Sequence, residues 1–273
     1  MARENDEWVR SFQRIIYAYY NEHKRPFRWR ETHDPYAILV SEVMLQQTQT
    51  SRVRDKYDAF LTAFPTFESL AQAPTADVLE LWQGLGYNKR ALSLKRTAEI
   101  IMERHGGKLP SDESALRALP GIGAYTAAAL RVFVFNAPAP VIDTNVRAVY
   151  IHFFSDGSTK VRDTDLLPLI RDTFDTDHTR EWVYALMDYG AYLKRNMKNP
   201  ARNSTAYKKQ SRFEGSNRQV RGMIVRFLLD GKHSAREVAK GIDIDETMVK
   251  KALETLVKDG IITCRDDTYA IVS

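Results

Sequence analysis

Two short segments hold the residue types and spacings best suited to chemistry. Leu119-Pro-Gly-Ile-Gly-Ala-Tyr-Thr-Ala127 reads as a glycine hairpin that opens a helix, and Val141-Ile-Asp-Thr-Asn-Val146 reads as a carboxylate at the start of a second helix. Gly121 and Gly123 let the backbone approach a partner closely. The helix behind them aims N–H groups and a positive dipole end at an anion. The chain carries a formal net charge of +5 and a pI of about 9.1, so a nucleic-acid phosphate is the anion that fits. Asp143, just past that clamp, points to chemistry on the bound strand. Taken alone, it reads equally well as a helix N-cap.

The elements that must position these residues are helical almost throughout from Asp6 to about Asn196. Trp8 to Tyr20, Tyr36 to Gln47, Val53 to Phe64 and Ala91 to His105 carry apolar residues at helical spacing. Phe64-Pro, Ala73-Pro, Gly84-Leu-Gly86, His105-Gly-Gly107 and Leu119-Pro-Gly121 punctuate them. Thr75, Asp77 and the Ser111-Asp-Glu run are candidate caps. Short helices with short connections predict an all-α body over residues 1–193. Residues 194–217 are polar, basic and poor in aliphatic side chains, and read equally as a solvated linker or a nucleic-acid-contacting strap.

Residues 218–273 form a second unit. Helices are expected over Val220 to Leu229, Ser234 to Gly241 and Asp245 to Lys258. A hairpin turned at Asp266-Asp267 follows. Three helices and a hairpin resemble a winged helix, a module that docks DNA or protein.

Composition excludes several classes. No apolar run is long enough to span a bilayer, and Met1-Ala-Arg-Glu-Asn-Asp-Glu lacks the apolar core of a secretion signal, so a cytoplasmic protein, nucleoid-associated if prokaryotic, with no membrane partner is expected. A monomer is expected. A single cysteine, Cys264, can neither close an internal disulfide nor ligate an iron–sulfur cluster, and reads as a small packing residue.

The hairpin with its downstream Asp143 resembles the helix-hairpin-helix DNA glycosylase superfamily that includes endonuclease III, over roughly Trp8 to Leu193. Leu39-Val-Ser-Glu-Val-Met-Leu-Gln-Gln-Thr-Gln49, Leu81-Trp-Gln-Gly-Leu-Gly-Tyr87 and Ala185-Leu-Met-Asp-Tyr-Gly-Ala191 resemble the signatures of its adenine-DNA glycosylase branch. Tyr125 stands where the endonuclease III branch has a lysine nucleophile. The Schiff-base route needs an amine, so the resemblance implies a monofunctional glycosylase without strong abasic-site lyase activity.

Hydrolysing a purine N-glycosidic bond needs a proton for the base and stabilisation of an oxocarbenium-like sugar, work that one neutral carboxylic acid and one carboxylate can share. Glu42, set among Val40, Val43, Met44 and Leu45, is the natural acid, because burial raises a carboxyl pKa. The resemblance implies that Glu42 protonates N7 of a flipped-out adenine and that Asp143 stabilises the sugar cation. The two are expected to face each other across a slot for the base. The resemblance further places Tyr125 and Asn145 beside these carboxylates and Trp29, Arg30 and Asp188 in the base pocket. Gln46, Gln47, Tyr87 and Asn88 fall in the DNA wedge, and Gly121 and Gly123 at the phosphate. Lys89, Arg90 and Arg147 are expected as phosphate contacts.

Two departures mark this chain. Relatives carry four cysteines for a [4Fe–4S] cluster just beyond Gly190-Ala-Tyr-Leu193; here Lys194 stands at the first position, so a clusterless protein without cofactor is expected, apart from a monovalent cation at the hairpin carbonyls. The winged-helix-like unit also stands where relatives carry a β-rich domain that reads 8-oxoguanine. The expected substrate is duplex DNA with adenine opposite 8-oxoguanine or guanine. The rival readings are a thymine or uracil mismatch glycosylase and a non-catalytic DNA-binding protein.

Overall fold

A computed structural model describes residues 2–157, 160–209 and 212–272. In chain order the helices are α1 (Ala2–His23), α2 (Arg28–Glu31), α3 (Pro35–Leu45), α4 (Thr50–Ala63), α5 (Phe67–Gln72), α6 (Thr75–Leu81), α7 (Lys89–His105), α8 (Glu113–Ala118), α9 (Ala124–Phe133), α10 (Thr144–Phe154), α11 (Asp163–Asp172) and α12 (Thr179–Asn196). A short 3-10 turn (Pro200–Asn203) follows, then α13 (Asn217–Leu228), strand β1 (His233–Ser234), α14 (Ala235–Ile242), α15 (Glu246–Lys258) and strands β2 (Ile262–Arg265) and β3 (Thr268–Ile271). The body is helical, as the periodicity implies.

Contacts divide the chain into two compact units that do not follow its order. One comprises residues 1–33 with 123–209, the other 34–122 with 210–273.

In the first unit α1, α10 and α12 pack around an aromatic core. Phe12 lies edge-on to Phe153 (5.1 Å) and Trp182 (5.8 Å) and tilted against Tyr150 (5.6 Å), and Ile16, Tyr150 and Trp182 are wholly buried. Burying rings of this size removes a large apolar area from water. Gly190 is where α12 meets α10 most closely. A Cβ built there would sit 2.1 Å from the Asn145 carbonyl oxygen, so only glycine lets the backbones approach this far. Residues 200–205 of the basic segment pack on this unit. Its 3-10 turn packs on α10, Ala201 and Ser204 are buried, and Thr205 donates its backbone N–H to the Val161 carbonyl (2.9 Å).

In the second unit, α3 is fully buried from Tyr36 to Met44. Asp34 caps it by accepting from the backbone of Tyr36 and Ala37, and Pro35 opens it. Phe60 and Trp82 meet edge to face at 5.8 Å in the core below. Asp112 caps α8 as expected, but Thr75 caps nothing: Pro74 holds the N-cap position of α6 and Thr75 is buried in its first turn.

The C-terminal part of this unit has the winged-helix order of elements. β1, too short to show as a pattern, adds to the hairpin in the order β1-β3-β2. Asp266 and Asp267 both have positive φ (48° and 54°), the conformation a two-residue hairpin turn requires. Cys264 is exposed on β2, so its expected packing role is corrected.

Replacing Gly190 with alanine forces α10 and α12 apart at Asn145. The expected outcome is a fall in Tm of roughly 5 °C or more, measured by calorimetry. An unchanged Tm would contradict the packing described for this crossing.

Candidate functional site

In the first unit the N-terminus of α10 carries Asp143. Its Oδ1 accepts from the backbone N–H groups of Asn145 (2.8 Å) and Val146 (2.7 Å), and its Oδ2 accepts from Asn145 Nδ2 (2.6 Å). Asp143 is therefore an N-cap as well as a candidate catalytic group. Three N–H donors fix its plane, and it stays partly open to solvent. Asn145 lies against it, as the sequence suggests, and accepts at its Oδ1 from Lys194 Nζ (2.8 Å). Tyr125 lies half-buried in the first turn of α9, which starts at Gly123, a residue with no side chain to cap it.

Trp29, Arg30 and Asp188 belong to the same unit. Arg30 grips Asp188 bidentately, both bonds at 2.9 Å, and Arg25 adds a side-chain bond of 2.6 Å and a backbone bond of 2.9 Å. Arg30 also lies over the Tyr184 ring at 4.4 Å, and Trp29 stacks on Phe27 at 4.7 Å. Burial alone would raise the Asp188 carboxyl, but the Arg30 hydrogen bonds and charge, then Arg25, outweigh it and hold the carboxyl below the usual range. The cluster ties the 24–31 segment to α12. Arg147 is spent similarly: its fork binds Asp163 at 2.6 and 2.7 Å instead of standing free for phosphate.

In the second unit Glu42 is 5% exposed within α3, between Val40, Val43 and Met44, which are buried themselves. A water-filled surface position for this glutamate is thereby ruled out. The residues expected to form the wedge come together. Gln46, Gln47, Tyr87, Asn88 and Gly121 line one cavity of about 650 Å³, together with Arg218 and Arg221 of α13. Gln46 Nε2 donates to the Gly121 carbonyl (3.2 Å), linking the end of α3 to the hairpin. Gln47 and Tyr87 both hold positive φ (55° and 51°), a strained backbone for side chains of this size. Tyr87 is 39% exposed, and its hydroxyl accepts from Arg218 (2.8 Å). Gly121 has φ of 76°, and an added Cβ would press on Ser93 at 2.9 Å.

Arg90 does something other than meet phosphate. One of its terminal nitrogens donates to the carbonyls of Val43 (2.8 Å), Met44 (2.9 Å) and Gln46 (2.7 Å). The other donates to Thr48 Oγ1 (3.0 Å) and the carbonyls of Leu85 (3.1 Å) and Gly86 (2.9 Å). A cation at the C-terminal carbonyls of α3 is favoured by the helix dipole, and burial lowers its pKa to about 10. Arg90 thus sets the Gly84–Tyr87 turn against the helix that carries Glu42. A lone arginine in a polar helix start gives no sign of this.

Among the described residues no three His, Cys, Asp or Glu side chains converge to hold a metal ion. With one cysteine in the chain, the residues present do not fit a [4Fe–4S] cluster. The hairpin carbonyls of Leu119, Pro120 and Gly121 already accept from Ile122 N–H, Thr97 Oγ1 and Gln46 Nε2. No helix among the described residues is long and apolar enough to cross a membrane.

Removing the Asp188 charge leaves two guanidinium groups facing a neutral partner inside the fold. Asp188→Asn should cost about 3–5 kcal/mol at neutral pH. The folded carboxyl lies below its unfolded value, so its stabilisation is complete above about pH 4 and is lost as pH falls through the folded value. Acid denaturation followed by circular dichroism should therefore be shallower in D188N than in wild type. Equal pH slopes would contradict the pairing.

Comparisons with known proteins follow the same lines. Residues 40–166 match the family described as "HhH-GPD superfamily base excision DNA repair protein". The adenine DNA glycosylase of Mycolicibacterium smegmatis is 33% identical over 90% of this chain and 91% of its own length. A thymine/uracil-DNA glycosylase of Methanothermobacter thermautotrophicus is 30% identical over 67% of this chain and 84% of its own. Among solved structures, a thermostable thymine-DNA glycosylase superposes with a TM-score of 0.62 at 28% identity, covering 70% of this chain and 87% of the other. Hairpin, capped aspartate and buried glutamate occur here in a chain that aligns along nearly its whole length with an adenine glycosylase, and the chain belongs to the helix-hairpin-helix base excision repair superfamily, in the adenine DNA glycosylase branch.

Proposed function

We propose that this protein is a DNA repair glycosylase that flips adenine out of a duplex, opposite 8-oxoguanine or guanine, and hydrolyses its N-glycosidic bond. The observation that carries the reading furthest is the burial of Glu42 inside an apolar helix of a chain from this family. A carboxyl shielded from water favours its neutral, proton-bearing form. Glu42 gives that proton to N7 of the extruded adenine, which leaves as a neutral base. Asp143 supports the sugar cation that remains, with Tyr125 and Asn145 orienting the groups around it. Water adds at C1′ and its proton passes to the Glu42 carboxylate, which restores the acid.

Trp29, Arg30 and Asp188 shape the pocket for the base in this reading. Gln46, Gln47, Tyr87 and Asn88 fill the gap in the duplex, and strained backbone at Gln47 and Tyr87 supports a site kept ready for use. The backbone at Gly121 and Gly123 receives a phosphate; a hairpin cation would have to share carbonyls that already accept protein donors. Residues 1–193 act as the glycosylase body and 218–273 as its winged-helix addition, in a monomer working on DNA in the cytoplasm. Tyr125 supplies no amine, so the abasic product leaves uncut.

A second reading, excision of thymine or uracil from mismatches with guanine, is favoured by the likeness to the two thymine-acting relatives. Single-turnover assays on duplexes carrying A, T or U opposite guanine and A opposite 8-oxoguanine separate the two. The expected result is release of adenine alone, with strand scission only after alkali. Release of thymine or uracil without adenine would favour the second reading, and release of no base would end both.

A further inference from the structure

Lys194 sits half-buried in the last turn of α12. Its Nζ donates to Asn145 Oδ1 at 2.8 Å and to Thr144 Oγ1 at 3.0 Å, both at the start of α10. Asn145 in turn donates its Nδ2 to Asp143 Oδ2 at 2.6 Å. The chain of bonds therefore runs ammonium to amide oxygen, and amide nitrogen to carboxylate.

The chemistry of the three groups makes this order directional. An ammonium offers only donors and an ionised carboxylate only acceptors, whereas a carboxamide offers both and can turn either end to either neighbour. Beside Asp143 alone, Asn145 could rotate. With Lys194 on its far side, the flipped amide would face NH₂ against NH₃⁺ and oxygen against a carboxylate, losing two bonds at once. The location carries an electrostatic cost. Nζ lies at a helix N-terminus, where the backbone dipole repels cations. Burial first, and then the neighbouring Arg25, push its pKa down, while the Asp143 charge opposes them. A lysine stem wanted only for packing could have ended in a methyl group.

We propose that Lys194 is a positioning residue for Asp143, locking the Asn145 amide so that its nitrogen holds the carboxylate in a single orientation. The role rests on the reading of Asp143 as the group that supports the sugar cation. It gives the position where the family resemblance puts the first cluster cysteine a direct line to the candidate catalytic carboxylate.

The test uses the full chain as wild type, Lys194→Met, Lys194→Arg, Asn145→Ala and the Lys194→Met/Asn145→Ala double variant. Single-turnover excision of adenine, DNA affinity and Tm are measured for each. K194M should slow excision about 10–100-fold, the range expected for one lost hydrogen bond to a charged group, with Kd and Tm at wild-type values. K194R, which keeps the charge and the donors, should recover part of that loss. The double variant should be no slower than N145A, because Lys194 acts through Asn145. K194M at the wild-type rate, a loss matched in Kd or Tm, or multiplied losses in the double variant would each overturn the proposal. A wild-type chain that excises no base overturns the functional reading with it; a wild type that excises beside an equally fast K194M overturns this inference alone.

Discussion

The Asp143 carboxylate, held by three N–H groups at the start of α10, is the constraint around which the first unit is arranged. A cap normally serves a helix; here the helix also serves the cap. Two backbone donors and one side-chain donor leave the carboxylate little rotational freedom, so its remaining acceptor capacity points in a defined direction. What stands behind it is specific. Gly190 lets α12 come within backbone contact of Asn145, and Lys194, one turn further along α12, reaches the Asn145 amide. The aromatic core of Phe12, Tyr150 and Trp182 fixes α10 against α12. A displacement of α10 of even a few tenths of an ångström would be felt at the carboxylate, since close-packed interiors transmit strain instead of absorbing it.

The second unit buries a carboxyl group. α3 is buried along nine consecutive residues, and Glu42 is 5% exposed among them. The cost of ending such a helix inside the protein falls on its free carbonyls. Arg90 meets them with three donor contacts, to the carbonyls of Val43, Met44 and Gln46, and three more, to Thr48, Leu85 and Gly86, join them to the Gly84–Tyr87 turn. Both units thus use arginine as internal scaffolding, Arg90 on carbonyls and Arg25 with Arg30 on Asp188. The basic character of the chain overstates the charge left free for DNA, because several guanidinium groups are committed to the fold.

Much of the fold and part of the site was legible in the sequence. The buried run from Tyr36 to Met44 shows as a helix of apolar periodicity, and the Asp143 cap and the Asp266-Asp267 turn follow from local chemistry that needs no tertiary information. The missing parts all depend on distant chain. β1 is two residues long and exists only because Tyr269 and Thr268 pair with it. Pro74, not Thr75, starts α6 because burial claims the threonine. The duties of Arg90, Arg147 and Lys194 depend on partners as far as 47, 16 and 50 positions away, and a basic residue in a basic chain reads as a phosphate contact until those partners are seen. Gly190 is the clearest case: the reason for it lies in the backbone of Asn145, which no local pattern reveals.

The account rests on Asp143 acting in chemistry as well as in capping. Asp143→Asn separates the two, because the amide oxygen can still accept the backbone bonds of the cap while the negative charge is gone. Single-turnover excision and equilibrium binding, measured together on one adenine-containing duplex, give the decisive comparison. The account predicts that D143N binds the duplex as wild type does and loses excision by roughly a thousandfold or more. Excision that survives the substitution at a comparable rate would contradict it.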